Sequence, residues 1–125
     1  MRSIKAFFQR FLSLFKTKGL VNPLPGLDKK LEIIRELIGA NRLEEAIKLA
    51  KKLVDQYEGV SKDNEDAIYT ISSTYISYKK SMVNGYDRSE LDIERGQIET
   101  RLLQFLNMLR QDIEFHYRIG ALNLL

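Results

Sequence analysis

The sequence predicts an all-α fold: a four-helix bundle preceded by a basic amphipathic helix. Three observations predict it. From Leu31 to Ile113 apolar residues recur every three or four positions, the spacing that gathers side chains on one face of a helix. Glycines stand singly between these runs, at Gly39, Gly59, Gly85 and Gly120, where helices end. No stretch alternates apolar and polar residues with the period of two that a half-buried strand requires.

Residues 1–18 read as the amphipathic helix. Ile4, Phe7, Phe8, Phe11, Leu12 and Phe15 stack into one apolar stripe at helical spacing, while Lys5, Arg10 and Lys16 lie on the other faces. Arg2, Lys5, Arg10, Lys16 and Lys18, with no acid before Asp28, give this part +5, so a chain of net +3 leaves −2 on the remainder. The high isoelectric point thus describes a basic arm on a slightly acidic body, not a nucleic-acid-binding domain, and no nucleic-acid partner is expected. A helix over this stretch would be about 22 Å long, short of a hydrocarbon core of ~30 Å, so it can lie on a bilayer but not span it. Gln9, Arg10 and Lys16 interrupt the apolar run and no small-residue cleavage site follows, which argues against a secretory signal, although a mitochondrial presequence shares the basic, acid-free character.

Residues 19–27, with Pro23, Pro25 and Gly26, read as a semi-stiff linker. Residues 28–125 then carry the bundle. Asp28 reads as an N-cap for a first helix marked by Leu31, Ile34, Leu37 and Ile38 and ending near Gly39. Asn41 with Glu44 has the spacing of a capping box opening a second helix, with Leu43, Ala46, Ile47, Ala50, Leu53, Val54 and Tyr57 on its apolar face. The short connection makes these two an antiparallel hairpin. A third helix starts near Asp63 or Asn64, places Ile68, Ile71, Tyr75, Tyr78 and Met82 on one stripe, and stops at Asn84-Gly85. Asp87 or Ser89 caps the fourth, whose stripe runs through Leu91, Ile98, Leu102, Phe105, Leu109 and Ile113 to an end at Gly120. Leu103, Leu106 and Met108 widen that stripe, which predicts a central helix with neighbours on more than one side.

Enzymatic chemistry has little to stand on. Cysteine is absent, which excludes disulfides, zinc–thiolate sites and a cysteine nucleophile, and His116 is the sole histidine. The glycines form no phosphate-binding loop. Glu90, Asp92, Glu94 and Glu99 are interleaved with Arg88, Arg95 and Arg101, the pattern of a solvated, ion-paired helix face and not of paired catalytic carboxylates. Tyr69, Tyr75 and Tyr78 could stack on bases, but the last two fall on the apolar stripe. No catalytic residue, cofactor or metal is expected.

From Ile34 onward the chain resembles a known family. Glu36-Leu37-Ile38, a short turn, and Leu43-Glu44-Glu45-Ala46-Ile47 are similar to its opening hairpin. Ile71-Ser72-Ser73-Thr74-Tyr75, Gly85 ten residues later, then Ser89-Glu90-Leu91, Glu94-Arg95, Ile98, Leu102-Leu103 and Phe105-Leu106 are similar to its third and fourth helices. The family is the type eleven effector-associated domain of bacterial conflict systems. The chain departs from it at Thr74, where Arg is common, and at Leu91, where an aromatic is common. The resemblance implies a death-fold-like, non-catalytic adaptor in the bacterial cytoplasm. Its partner would be a protein bearing a cognate domain fused to a protease, NTPase or similar effector. Arg88, Glu90, Glu94 and Arg95 become candidates for protein interaction, including contact between copies. Ile4, Lys5, Phe7, Phe8, Arg10, Phe11, Leu12, Phe15 and Lys16 become candidates for contact with a partner or with the anionic surface of the inner membrane. A second reading stays open: a scaffold whose first helix completes the core or an oligomer interface, with no lipid involved.

Overall fold

A computed structural model describes residues 21–123, so the amphipathic segment 1–18 lies outside the described residues. Four helices follow one another: α1 (Leu24–Gly39), α2 (Leu43–Gln56), α3 (Lys62–Val83) and α4 (Arg88–Asn123). This is the all-α bundle that the periodicity predicts.

α1 starts earlier than expected, inside the stretch the prolines mark as linker. Pro25 falls in the first turn, where its missing N–H would have no partner inside the helix. Asn22 Oδ1 accepts a hydrogen bond from the Leu24 amide at 3.0 Å, and Leu27 is completely buried. Asp28 is therefore not a cap. It sits within the helix, and its carboxylate receives Arg110 Nε at 2.6 Å and Nη2 at 3.1 Å, fastening α1 to α4.

Asn41 also has a different task from the one its spacing suggests. Its φ is +66°, a left-handed conformation that Asn tolerates better than most residues. The Arg42 amide donates to the Leu37 carbonyl and the Asn41 amide to that of Ile38, which is the Schellman closure of α1. Arg42 takes the N-cap position of α2 without a side-chain cap and pairs instead with Glu45 at 2.5 Å. The same closure ends α3: Gly85 has φ +78°, its amide donates to the Met82 carbonyl, and the Tyr86 amide donates to that of Ser81. Ser61 caps α3, its Oγ accepting from the Asn64 amide at 3.2 Å.

α4 is the hub. It packs against α1, α2 and α3, whereas α1 and α3 do not touch each other. Ile98, Leu102, Phe105, Leu106, Leu109 and Ile113 supply its buried face. Leu27, Leu31 and Ile34 of α1, Ala46, Ala50 and Leu53 of α2, and Ile68 and Ile71 of α3 close around it. Each large apolar side chain removed from water contributes roughly 1.5–3 kcal/mol, so this one helix face holds much of the stability.

Three expected core residues are not in the core. Met82, Leu103 and Met108 are exposed, because the neighbours of α3 and α4 cover a narrower arc than the apolar residues span. Gly120 does not end α4; the helix continues through it to Asn123. Among the described residues no helix is long and apolar enough to cross a membrane.

Leu106→Ala should cost ~2–5 kcal/mol in urea unfolding, whereas Leu103→Ser should change stability by less than about 0.5 kcal/mol. Equal losses would contradict the assignment of the core. The Asp28–Arg110 pair carries a pH signature. The Arg110 hydrogen bond holds the Asp28 carboxyl below its ordinary value of 3.8, against slight burial. A lowered folded pKa means stability is fully present above that ordinary value and is lost as pH falls through the lower, folded one. The urea midpoint should therefore drop as acid is added below about pH 4, and the drop should shrink in Asp28→Asn. An unchanged acid limb in that variant would assign the loss to other carboxylates.

Candidate functional site

The candidate interaction residues come together where α3 turns into α4. The left-handed Gly85 reverses the chain sharply, and the Asp87 carbonyl receives the Leu91 amide at 3.0 Å to start α4 at once. Two shallow grooves flank this corner. One, of 380 Å³, is lined by Ser81, Tyr86, Glu90, Leu91, Ile93, Glu94 and Gln97. The other, of 520 Å³, is lined by Ile76, Lys79, Lys80, Val83 and Asn84. The first carries two carboxylates and the second two ammonium groups. Large apolar side chains stand out beside them: Val83 is 85% exposed, Ile93 63% and Tyr86 58%.

The four residues the sequence singled out do not share one fate. Arg88 and Glu90 are exposed, and Glu94 is half-buried in the wall of the acidic groove. Arg95 is drawn inward. Adjacent residues on a helix point about 100° apart, so Arg95 cannot follow Glu94. Its Nε donates to Glu99 Oε2 at 3.0 Å, one turn along, while its Nη2 is buried without a hydrogen-bond partner. Burial opposes its charge, but Tyr78 and Glu99 favour the charge more strongly and raise its pKa. Glu94 and Arg95, neighbours in sequence, thus part company: Arg95 pairs with Glu99 and lies against Tyr78. The nine candidates on the amphipathic segment, from Ile4 to Lys16, lie outside the described residues.

The basic groove is also tied to α2. Lys79 Nζ reaches Glu44 Oε1 at 2.9 Å and lies 5.9 Å from the Tyr75 ring centre. The Lys79 hydrogen bond lowers the pKa of Glu44. Tyr75 and Tyr78 pack against each other with ring centres 5.9 Å apart, and Tyr78 is buried. Tyr69 stands on another face with Lys51 Nζ 5.4 Å above it. The three tyrosines therefore form no common stacking surface.

One polar cluster escaped the sequence reading. Asp112, on α4, accepts from the Ser61 amide at 2.8 Å and from Asn64 Nδ2 at 2.6 Å, and Asn64 is buried. The cluster locks the start of α3 onto α4 at the end of the bundle remote from the two grooves. The Ser61-to-Asn64 spacing, a cap residue followed three positions later by a second hydrogen-bonding side chain, was the available signal. Near it, Gly59 has φ +95° and lies so close to His116 that an added Cβ would collide with the His116 Cβ. His116 Nε2 is 3.5 Å from Glu58, so this histidine sits against the α2–α3 turn.

No protein-family model matches the chain, and neither a curated protein nor a solved structure matches it.

Arg95→Ala should destabilise the protein by ~1–3 kcal/mol, since it removes a half-buried charged hydrogen bond. Arg88→Ala and Glu90→Ala should each fall within about 0.5 kcal/mol of the wild type. Thermal unfolding of the three variants checks this. Indistinguishable melting curves would return Arg95 to the surface.

Proposed function

We propose that this chain is a non-catalytic adaptor of a bacterial conflict system, in which the helical bundle recruits a partner carrying a matching domain. The α3–α4 corner would receive that partner, and the basic amphipathic segment 1–18 would couple the assembly to an anionic membrane surface. A single observation carries the recruiting role: Val83, Tyr86 and Ile93 stand exposed beside one acidic and one basic groove at a sharp helix corner. An apolar centre with a charged rim is the composition of a specific, separable protein interface. The opposite charges of the two grooves suit a partner built on the same plan, because the basic groove of one copy can face the acidic groove of the next. A heterologous contact of this kind leaves a free groove at each end and so extends into clusters.

Clustering gives the amphipathic segment its purpose. Five cations without an acid gain about 1 kcal/mol each near an anionic leaflet, a weak and reversible attraction for one copy. Several copies held together bind with a much higher effective concentration.

Two measurements test the two halves of the proposal. The full chain should co-sediment with vesicles containing anionic lipid and not with neutral vesicles. Phe7→Ser, Phe8→Ser and Phe11→Ser together should abolish this while the helical signal persists. Sedimentation velocity of the full chain should show concentration-dependent association that Ile93→Asp removes. Binding to neither vesicle would end the membrane role, and association indifferent to Ile93→Asp would move the interface away from the corner.

A further inference from the structure

α4 turns a second face to water, opposite the one that buries Leu102, Leu106 and Leu109. Ile93 and Gln97 begin it, Gln104, Met108 and Gln111 form its middle, and Phe115 and Leu122 end it. Their three-, four- and seven-residue spacing keeps them in one narrow stripe. All are exposed, the four apolar ones by half or more. Past Asp112, which meets Asn64 in the first turn of α3, the stripe continues along an overhang of α4 that ends at Asn123. None of these residues carries a charge, although Asp, Glu, Lys and Arg make up 30% of the chain. Charges normally collect on the solvated face of a helix, so an uncharged stripe of this kind has the composition of a packing seam.

The seam is complementary to itself. We infer that α4 pairs with α4 of a second copy of this chain, antiparallel, about a two-fold axis at Met108. That register sets Ile93 against Leu122 of the other copy at both ends, and Gln104 against Gln111 on either side of the centre. A glutamine amide both donates and accepts, so each glutamine pair satisfies itself across the axis. The charges at the edge agree with the same register. Arg101 and Asp112 lie on one edge of the seam, about 16 Å apart along the helix and too far to meet within one copy. Arg101 is exposed and has no acidic partner among the described residues. Asp112 receives Ser61 and Asn64 both on Oδ2, which leaves its Oδ1 open among the described residues. Antiparallel packing turns like edges toward each other, bringing each Arg101 to the Asp112 of the other copy. The size also suffices. From Ile93 to Leu122 the strip is about 44 Å long and about 11 Å wide, on the order of 1,000 Å² over both copies, where specific interfaces begin. A two-fold contact closes on itself, unlike the open contact proposed for the corner. The seam meets the corner only at Ile93 and Gln97, in the wall of the acidic groove, so it is a second surface.

The absence of cysteine makes the test direct. Met108→Cys and Leu122→Cys are made singly in the full chain, both at exposed positions that leave the core intact, and treated with a short bis-maleimide. Met108→Cys, beside its own copy at the axis, should give a covalent dimer. Leu122→Cys should remain monomeric, because antiparallel packing holds its two copies about 42 Å apart. Equal cross-linking of the two variants would mean parallel packing or random encounter, and no cross-link at Met108→Cys would mean that the seam does not pair with itself; either result overturns the dimer. Sedimentation equilibrium gives the second reading. Gln104→Glu together with Gln111→Glu sets carboxylates against each other across the seam and should weaken the dimer ~10-fold or more while the helical signal persists. An unchanged dissociation constant would overturn the dimer as well. Neither glutamine lines a groove of the corner, so this result stands apart from that of Ile93→Asp.

Discussion

Everything in this bundle depends on the burial of one face of α4. Leu102, Leu106 and Leu109 are completely enclosed, and each of the other three helices finds its apolar partners there. α1 and α3 have no contact of their own; α4 and α2 each pack against both and relate them. The polar fastenings serve the same centre. Asp28 reaches α4 through Arg110, and Ser61 and Asn64 reach it through Asp112. Each is a charge-assisted hydrogen bond that fixes register, while the area buried beneath supplies the stability.

A hub longer than its partners necessarily leaves surface uncovered at its ends. At the start of α4 the tight Gly85 reversal exposes Val83, Tyr86 and Ile93 between oppositely charged grooves. At its other end the overhang exposes Phe115, Ile119 and Leu122. The two surfaces differ in kind. The corner has a charged rim and suits a separable partner, whereas the overhang is a bare apolar stripe.

The helical periodicity made the architecture legible: the number and order of helices, the hairpin of α1 and α2, and the central place of α4 all follow from which positions are apolar. Residues with two possible uses were not legible. Asn41 has the spacing of a capping box, yet its tolerance of positive φ made it the closure of α1. Pro25 breaks a helix in its interior and starts one in its first turn, and only the burial of Leu27 decides which applies. At the corner, the sequence singled out Arg88, Glu90, Glu94 and Arg95 as candidates but did not show the partner of Arg95. Glu94 is adjacent along the chain, yet helix geometry chooses Glu99, which lies a turn away.

The sequence by itself determined the class of fold, the helix-forming segments and the charge division between a basic first segment and a near-neutral body. These properties are local, set by spacing and composition within a few turns of chain. The tertiary structure decided which apolar residues are core and which are surface, because that depends on the arc each neighbour covers. Met82, Leu103 and Met108 look like core residues along the chain and are exposed in the fold, while Asn64 looks like a surface cap and is buried beside Asp112. A hydrophobic side chain states only that it prefers to leave water; whether another helix arrives to cover it is settled by the lengths and packing of elements far away in sequence.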